Sequence, residues 1–425
     1  MPTHSNEAVS ASLDLIRSVT TSDGILASPT KITNYRRVWA RDSVICGMAG
    51  LVADDDTITQ GLRDTLETLA SAIGPDGQIP SNVAIQDGQP TDVSYGGLSG
   101  RVDAISWFVV GLGQYVLATG DVAFGARYAA EVQRGLQLLT AWEYNRRELV
   151  YVPLGGDWAD EYVLHGYVLF DQLMRIWALR AAQWLGLGDA AERREAIERR
   201  VTATFRLDIG GSSGDGTYHP YAAEQIIEHD RVPPYWLPAL SPGGYQTPFD
   251  GWSNALAVLL NLGTEASTRR TIDAGEAIRR DRIGSLVPAF WPPIEEGDPD
   301  WHLLQGNHRG TFHNHPGHYH NGGLWPVVNG WWGCALDAAG QTDDARSVLS
   351  AIHEANRHQE GDPESEESTT PPSSDWIFPE YRDAETATPG GTRPLAWSAA
   401  GAVLLDCHLA GLKLAFAVDP TSPDK

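Results

Sequence analysis

The chain has 425 residues, 42% of them hydrophobic, with 55 Asp and Glu against 31 Lys and Arg and a formal net charge of -24. That length and apolar content support a large core, and the acid excess repels phosphate backbones, so nucleic acid is excluded as a partner class. Lysine is confined to Lys31, Lys413 and Lys425, so nearly all positive charge is arginine, a bias that fits a salt-adapted host or a GC-rich genome.

The stretch MPTHSNEAVSASLDLIRS has no basic start followed by an apolar run, so no signal peptide is expected. No run of 18 apolar residues predicts a membrane span. Cys46, Cys334 and Cys407 are odd in number, far apart and set in apolar helical patterns, which reads as buried thiols rather than a disulfide or a metal site. A cytoplasmic protein without a membrane partner is expected.

Helical periodicity predicts helices at about 6–19, 42–53, 57–73, 102–118, 123–142, 162–186, 189–206, 252–261, 265–280, 322–340, 342–358 and 395–416. Helices apolar nearly all round (322–339, 395–412) alternate with charged, amphipathic ones (189–206, 342–358). An element apolar on every face is buried, and one with a polar face lies outside. Six such inner–outer pairs make an all-α (α/α)6 toroid, expected as a single domain over 1–425. Long connections at 74–98, 210–248, 286–321 and 360–393 separate the helices, and loops of this length are usually functional or disordered. The acidic, Pro/Ser-rich stretch 360–374 (EGDPESEESTTPPSS) is expected to be a mobile surface loop.

Five stretches carry candidate chemistry. In VWARDS, Arg41 and Asp42 stand beside Trp39 at the start of a buried helix; they form a structural ion pair or grip sugar hydroxyls. SYGGLSGRVDAISWFVVGL joins a flexible glycine loop to an apolar helix. There Asp103 caps the helix, serves as a catalytic acid, or does both, and Tyr95 and Arg101 are candidate substrate contacts. GGDWADEYVLHG groups Asp157, Asp160 and Glu161 around Trp158, either as acids favouring a helix N-terminus or as a carbohydrate subsite. His302, His308, His313, His315, His318 and His320 crowd one loop, but without H-E-x-x-H spacing no metal is expected. YHNGGLWP, with His320 and Asn321, reads better as hydroxyl-binding groups. In DWIFPEYRD, Glu380 sits among Trp376, Phe378 and Tyr381, which can desolvate a carboxylate and shift its pKa; the plain alternative is a salt bridge to Arg382 or Arg393.

In order along the chain, these stretches resemble the alkaline/neutral invertases. Through them they resemble the wider (α/α)6 glycosidases, which include glucoamylases and amylo-α-1,6-glucosidases. VWARDS resembles the family's Arg-Asp motif and GRVDAISWFVVGLGQYVLATGD its general-acid segment. GGDWADEYVLHGYVLFDQLMRIWALRAA is similar to the segment that leads through an acidic turn into a long inner helix, and GYQTPFDGWSNALAVLLNLG to its middle inner helix. YHNGGLWPVVNGWWGCAL is its most recognisable signature, and FPEYRD with RPLAWSAAGAVLL resembles its closing Glu motif and last helix. The resemblance implies Asp103 as general acid, Glu380 as general base, and Arg41, Asp42, Asp160, His320 and Asn321 as sugar contacts. Trp39, Trp158, Glu161 and Trp397 are further binding candidates. It implies inverting hydrolysis of a small α-glucoside, sucrose first, with a small carbohydrate as partner, no cofactor and a possible homo-oligomer. Two features depart from the family. Asp160 and Glu161 stand where it usually has a basic pair, and DGQIPSNV (76–83) is closer to debranching-type glucosidases. The alternatives are an exo-acting α-glucosidase, a sugar epimerase or isomerase using histidine as base, and a sugar-binding protein without turnover.

Overall fold

The computed structural model describes residues 3–30, 34–187, 191–207, 216–229, 231–363 and 375–417. Along the chain run α1 (Thr3–Val19), α2 (Ala40–Val52), α3 (Asp56–Ser71), α4 (Asp103–Thr119), α5 (Val122–Arg127) and α6 (Ala129–Ala141). They are followed by α7 (Leu169–Trp184), α8 (Ala191–Phe205), α9 (Pro220–Glu228), α10 (Gly251–Leu259) and α11 (Glu265–Arg280). The last four are α12 (Trp301–Gly306), α13 (Pro326–Ala338), α14 (Thr342–Asn356) and α15 (Ala396–Leu409). Helices α2, α4, α7, α10, α13 and α15 each pack on the next, and α15 packs back on α2. This closed ring is the inner layer, and its members are buried on nearly every face. Outside it lie α3 on α2, α6 on α4, α8 on α7, α11 on α10, α14 on α13 and α1 on α15. The architecture is the expected (α/α)6 toroid.

Local chemistry explains where the helices begin and end. Asp55 accepts from the Ile58 N–H to open α3, and Asp250 accepts from Trp252 and Ser253 at 3.0 Å each to open α10. Thr264 and Ser267 form a reciprocal capping box on α11, and Gly120, at φ 72°, ends α4. The helix expected at 123–142 divides at Tyr128, whose ring packs edge-on against Phe108 and Phe124. The one expected from 162 starts at Leu169, because Tyr167–Val168 pairs as a strand with Ala239–Ser241. The one expected from 322 starts at Pro326, a residue suited to the first helical position. Helix α9 was not expected, although Pro220 at its start, capped by the His219 ring, is a readable signal; α12 lies in the connection read as irregular.

Glycines set the closeness of the inner ring. A Cβ on Gly330 of α13 would overlap the backbone of Gly401 on α15, and one on Gly111 of α4 would press on Val44 of α2. The axis is filled, not hollow. Trp107, Trp177, Trp252 and Trp331, from four inner helices, meet with neighbouring ring centroids 5.9–6.4 Å apart. At the C-terminal ends of these helices, the segment after α15 lies across the ring. The Ala415 carbonyl accepts from Gln114 at 2.6 Å and Trp177 at 2.9 Å, and Phe416 stacks on Trp177 at 4.7 Å.

The opposite end is the mouth, where the N-termini of the inner helices gather. Short antiparallel strands lead into them: Val38–Trp39 against Asn82–Gln86, Phe249–Asp250 against Phe290–Trp291, and Tyr381–Arg382 against Pro389–Gly390. Of the acidic stretch expected to be mobile, 364–374 lies outside the described residues, while Asp362 is held by Arg382 at 3.1 Å. All three cysteines are buried. Among the described residues no helix is long and apolar enough to cross a membrane.

The α13–α15 crossing is directly testable. Gly330→Ala gains helix propensity but forces two backbones apart, so a net loss of about 1–3 kcal/mol is expected, read as a lower urea midpoint. An unchanged or higher midpoint would contradict so close a crossing.

Candidate active site

A cavity of about 560 Å³ opens at the mouth. Its wall includes Asn34, Asn82, Arg101, Glu161, Arg309 and His313. It narrows into a deeper recess lined by Arg41, Asp42, Trp158, His320, Trp325 and Trp397. Tyr35, Trp39, Asp160, Tyr319 and Glu380 border both spaces and form the neck between them. Asp160 and Glu380 are therefore the carboxylates common to the two spaces.

Glu380 stands just before the strand Tyr381–Arg382 and is 3% exposed. Its Oε1 accepts the Tyr35 hydroxyl at 2.7 Å and its Oε2 the Thr392 N–H at 2.9 Å. Burial pushes its pKa up to about 7 against these two hydrogen bonds, with nearby Asp42 and Asp160 adding to the rise. Gly391, at φ 71°, lies against this carboxylate, and any Cβ there would overlap it.

Asp160 reaches the neck from the turn after Trp158 and is bound by the Arg101 guanidinium, which also donates to the Gly155 carbonyl. Burial raises its pKa, but Arg101, with His320 and Arg41, outweighs burial and holds the carboxyl below its usual range. The glycine loop delivers that arginine: Gly96 bridges to Gly100, and the Arg101 N–H closes onto the Tyr95 carbonyl at 2.8 Å.

Under the recess, Arg41 contacts Asp103 Oδ2 at 2.7 Å and lies 5.6 Å from the centre of the Trp397 ring. The Trp107 indole donates to the same Asp103 oxygen at 3.2 Å. Burial raises Asp42 to about 6, partly offset by Arg41. His320 stacks on Trp325 (5.2 Å, 7° between planes), and burial pushes its pKa down to about 3, so its ring is neutral. Trp158 stacks on Phe290 at 5.7 Å.

Of the residues expected in the site, Trp39, Arg41, Asp42, Arg101, Trp158, Asp160, Glu161, His320, Trp397 and Glu380 line the two spaces. Four do not. Asp103 lies beyond the lining, engaged by Arg41 and Trp107. Asp157 is buried and accepts the Ala159 N–H at 3.0 Å. The Tyr95 hydroxyl donates to the Ala72 carbonyl at 2.8 Å. Asn321 ties a connection together, accepting from the Ile294 N–H at 2.7 Å and donating to the Ile294 and Asn314 carbonyls. Tyr35, Tyr319, Trp325 and Thr392 were missed. Tyr35 is three residues before VWARDS, and Tyr319 and Trp325 lie inside the YHNGGLWP motif. The histidines disperse: His318 pairs with Asp383 at 2.9 Å, His308 and His315 pack on Phe312, and His313 joins the outer wall. Among the described residues no group of three or more His, Cys, Asp or Glu side chains is arranged to hold a metal ion.

No family model matches the chain. A probable alkaline/neutral invertase D of Arabidopsis thaliana is 23% identical over 387 residues, covering 79% of this chain and 70% of that protein. A mitochondrial neutral/alkaline invertase 1 of Oryza sativa subsp. japonica is 23% identical, covering 90% of this chain and 66% of that protein. Among solved structures, a GH63 mannosylglycerate hydrolase from Thermus thermophilus in complex with Tris superposes with TM-score 0.64 at 14% identity, covering 93% and 98% of the two chains. A glycosidase in complex with glucose superposes with TM-score 0.61 at 16% identity, covering 96% and 98%. In sequence the chain is similar to the alkaline/neutral invertases, and its fold is the (α/α)6 toroid of the glycosidases.

Proposed function

We propose that the protein is a glycoside hydrolase that removes one terminal sugar from a small α-glucoside, with sucrose the leading substrate, by a single inverting displacement. The observation that carries this reading is the pair of carboxylates, Asp160 and Glu380, at the neck between a recess and an outer cavity. A sugar ring that widens the recess beyond its present free space of about 30 Å³, with its leaving group outside, would put the scissile bond at that neck. Trp158, Trp325 and Trp397 offer apolar faces to the ring, while Arg41, Asp42 and His320 offer partners to its hydroxyls. A site built on hydrogen bonds rejects sugars lacking the matching hydroxyl.

In the reaction, Glu380 takes a proton from a water that attacks the anomeric carbon. Asp160 gives a proton to the departing oxygen as the bond to it breaks. Inverting enzymes keep the two carboxyls roughly 6.5–9.5 Å apart to admit that water. With Asp160 held low and Glu380 raised to about 7, the resting proton of the pair sits on Glu380. The reactive form is the minor arrangement in which that proton has passed to Asp160 and Glu380 is free to act as base. Asp160 replaces Asp103 as donor in this reading. Asp103 lies off the cavity, and its role is to hold Arg41 in place under the sugar.

The neutral, low-pKa His320 is a weak base for carbon-bound protons, which favours hydrolysis over epimerisation. One observation favours the second hydrolytic reading, an exo-acting α-glucosidase: DGQIPSNV contributes Ser81 and Asn82 to the outer wall. Incubation with sucrose, maltose and isomaltose decides between them. Glucose with fructose from sucrose is expected; cleavage of maltose or isomaltose alone would transfer the assignment to the glucosidase.

Asp160→Asn should slow sucrose hydrolysis about 10²- to 10⁴-fold but spare much of the rate on α-glucosyl fluoride, whose leaving group needs little protonation. Equal losses on both substrates would remove Asp160 as donor, and a leaving-group-dependent loss in Asp103→Asn would give the role to that residue.

The pair should work with one proton between its members. With Asp160 held low and Glu380 near 7, that form prevails below about pH 7 and is lost above it. The ratio kcat/KM is expected to fall about tenfold per pH unit on the alkaline side. Tyr35→Phe removes a hydrogen bond that lowers the Glu380 pKa, so this limb should move to higher pH. A profile flat from pH 6 to 9, or a shift downward, contradicts the assignment.

A further inference from the structure

The outer cavity has a charge pattern that a neutral leaving group does not use. Two of its three acids are engaged, Asp160 by Arg101 and Glu380 by the Tyr35 hydroxyl and the Thr392 N–H. Glu161 accepts the Arg309 backbone N–H at 3.0 Å through Oε1, and its buried Oε2 has no hydrogen-bond partner among the described residues. The Arg309 side chain stands apart. It is exposed, it lines the cavity beside His313, and no carboxylate among the described residues forms a salt bridge with it. Arg101, by contrast, spends its guanidinium on Asp160 and on the Gly155 carbonyl. Asn34, Asn82 and Thr311 supply neutral hydrogen-bonding groups around the same space. A planar guanidinium matches the two oxygens of a carboxylate or phosphate with parallel N–H groups.

We propose that the outer cavity is a leaving-group subsite for an anionic aglycone, one bearing a carboxylate or a phosphate that Arg309 grips with His313 alongside. The proposal rests on the hydrolase reading and adds acidic glucosides to the neutral ones, sucrose among them, that the reading assigns to the site. The net charge of -24 makes it sharper, because the general field of the chain opposes anions and only a local cation can favour one.

The test uses the full chain and a matched pair of substrates, 4-carboxyphenyl α-glucoside and its methyl ester, with 4-phosphonophenyl α-glucoside as the phosphate arm. The ester is the better leaving group, so intrinsic reactivity works against the proposal. The kcat/KM of the carboxylate should nevertheless exceed that of the ester about tenfold. In Arg309→Gln the ratio should collapse toward one, and Arg309→Lys should restore part of it. A carboxylate faster than the phosphonate, or the reverse, tells which anion the subsite prefers. A wild-type ratio of one or less for both anions overturns the proposal while leaving hydrolysis standing. If no glucoside is cleaved, the hydrolase reading fails, and titration calorimetry decides the subsite. Tighter binding of the anion than of the ester, lost in Arg309→Gln, supports it; equal affinities overturn it.

Discussion

The contact between Arg41 and Asp103 is the constraint on which the floor of the site depends. It joins α2 to α4 at 2.7 Å, and the guanidinium reaches α15 through the face of Trp397. Both side chains are largely shielded from water, and removing one partner of such a pair leaves the other charge uncompensated. The same guanidinium opposes the burial of three other acids, lowering the pKa of Asp42, Asp157 and Asp171. Burial still dominates at Asp157, which is pushed up to about 8, and at Asp171, which is pushed well above its ordinary value. The rise favours the protonated, uncharged form of both carboxyls, which is the form an interior tolerates.

Why acids should collect there follows from the toroid itself. The inner helices point their N-termini at the mouth, and each terminus carries free N–H groups and partial positive charge. Asp42, Asp103 and Asp171 fall in the first turns of α2, α4 and α7, and Asp250 caps α10. A ring of helix starts is thus a scaffold for carboxylates, and the connecting loops then bring Asp160 and Glu380 over it.

Much of this was legible in the sequence. The stretch 395–412 is apolar nearly all round, which marks a helix buried by protein, and 395–405 are buried while 410–412 emerge at its far end. Glu380 stood out because aromatic neighbours surround it. The two carboxylates at 103 and 160 were harder to rank. Asp103 opens an apolar helix and Asp160 precedes one. The arginines that engage them, Arg41 and Arg101, are 62 and 59 positions away, so sequence spacing does not tell which carboxylate faces a cavity and which a neighbouring helix. Tyr95 and Asn321 looked like sugar contacts for their chemistry, yet their hydrogen bonds close on the backbone. Tyr35 escaped notice because its partner, Glu380, is 345 positions away. Strand pairings such as Tyr167 with Leu240 were invisible for the same reason: segments of two or three residues carry no periodicity.

Among the described residues, the tryptophans on the axis and the segment packed across the far ends of α4 and α7 close the toroid at the end opposite the mouth. Anything that enters through the mouth backs out the way it came. Under the proposed hydrolysis a polymer would not be threaded through and cut as it slides; its tip alone would enter, and entry and exit would share the mouth as one corridor. A sugar released in the recess by the proposed reaction would leave after the outer space clears. On that reading retention would grow with the grip of the outer wall, and the corridor would set the pace of departure as well as the choice of what comes in.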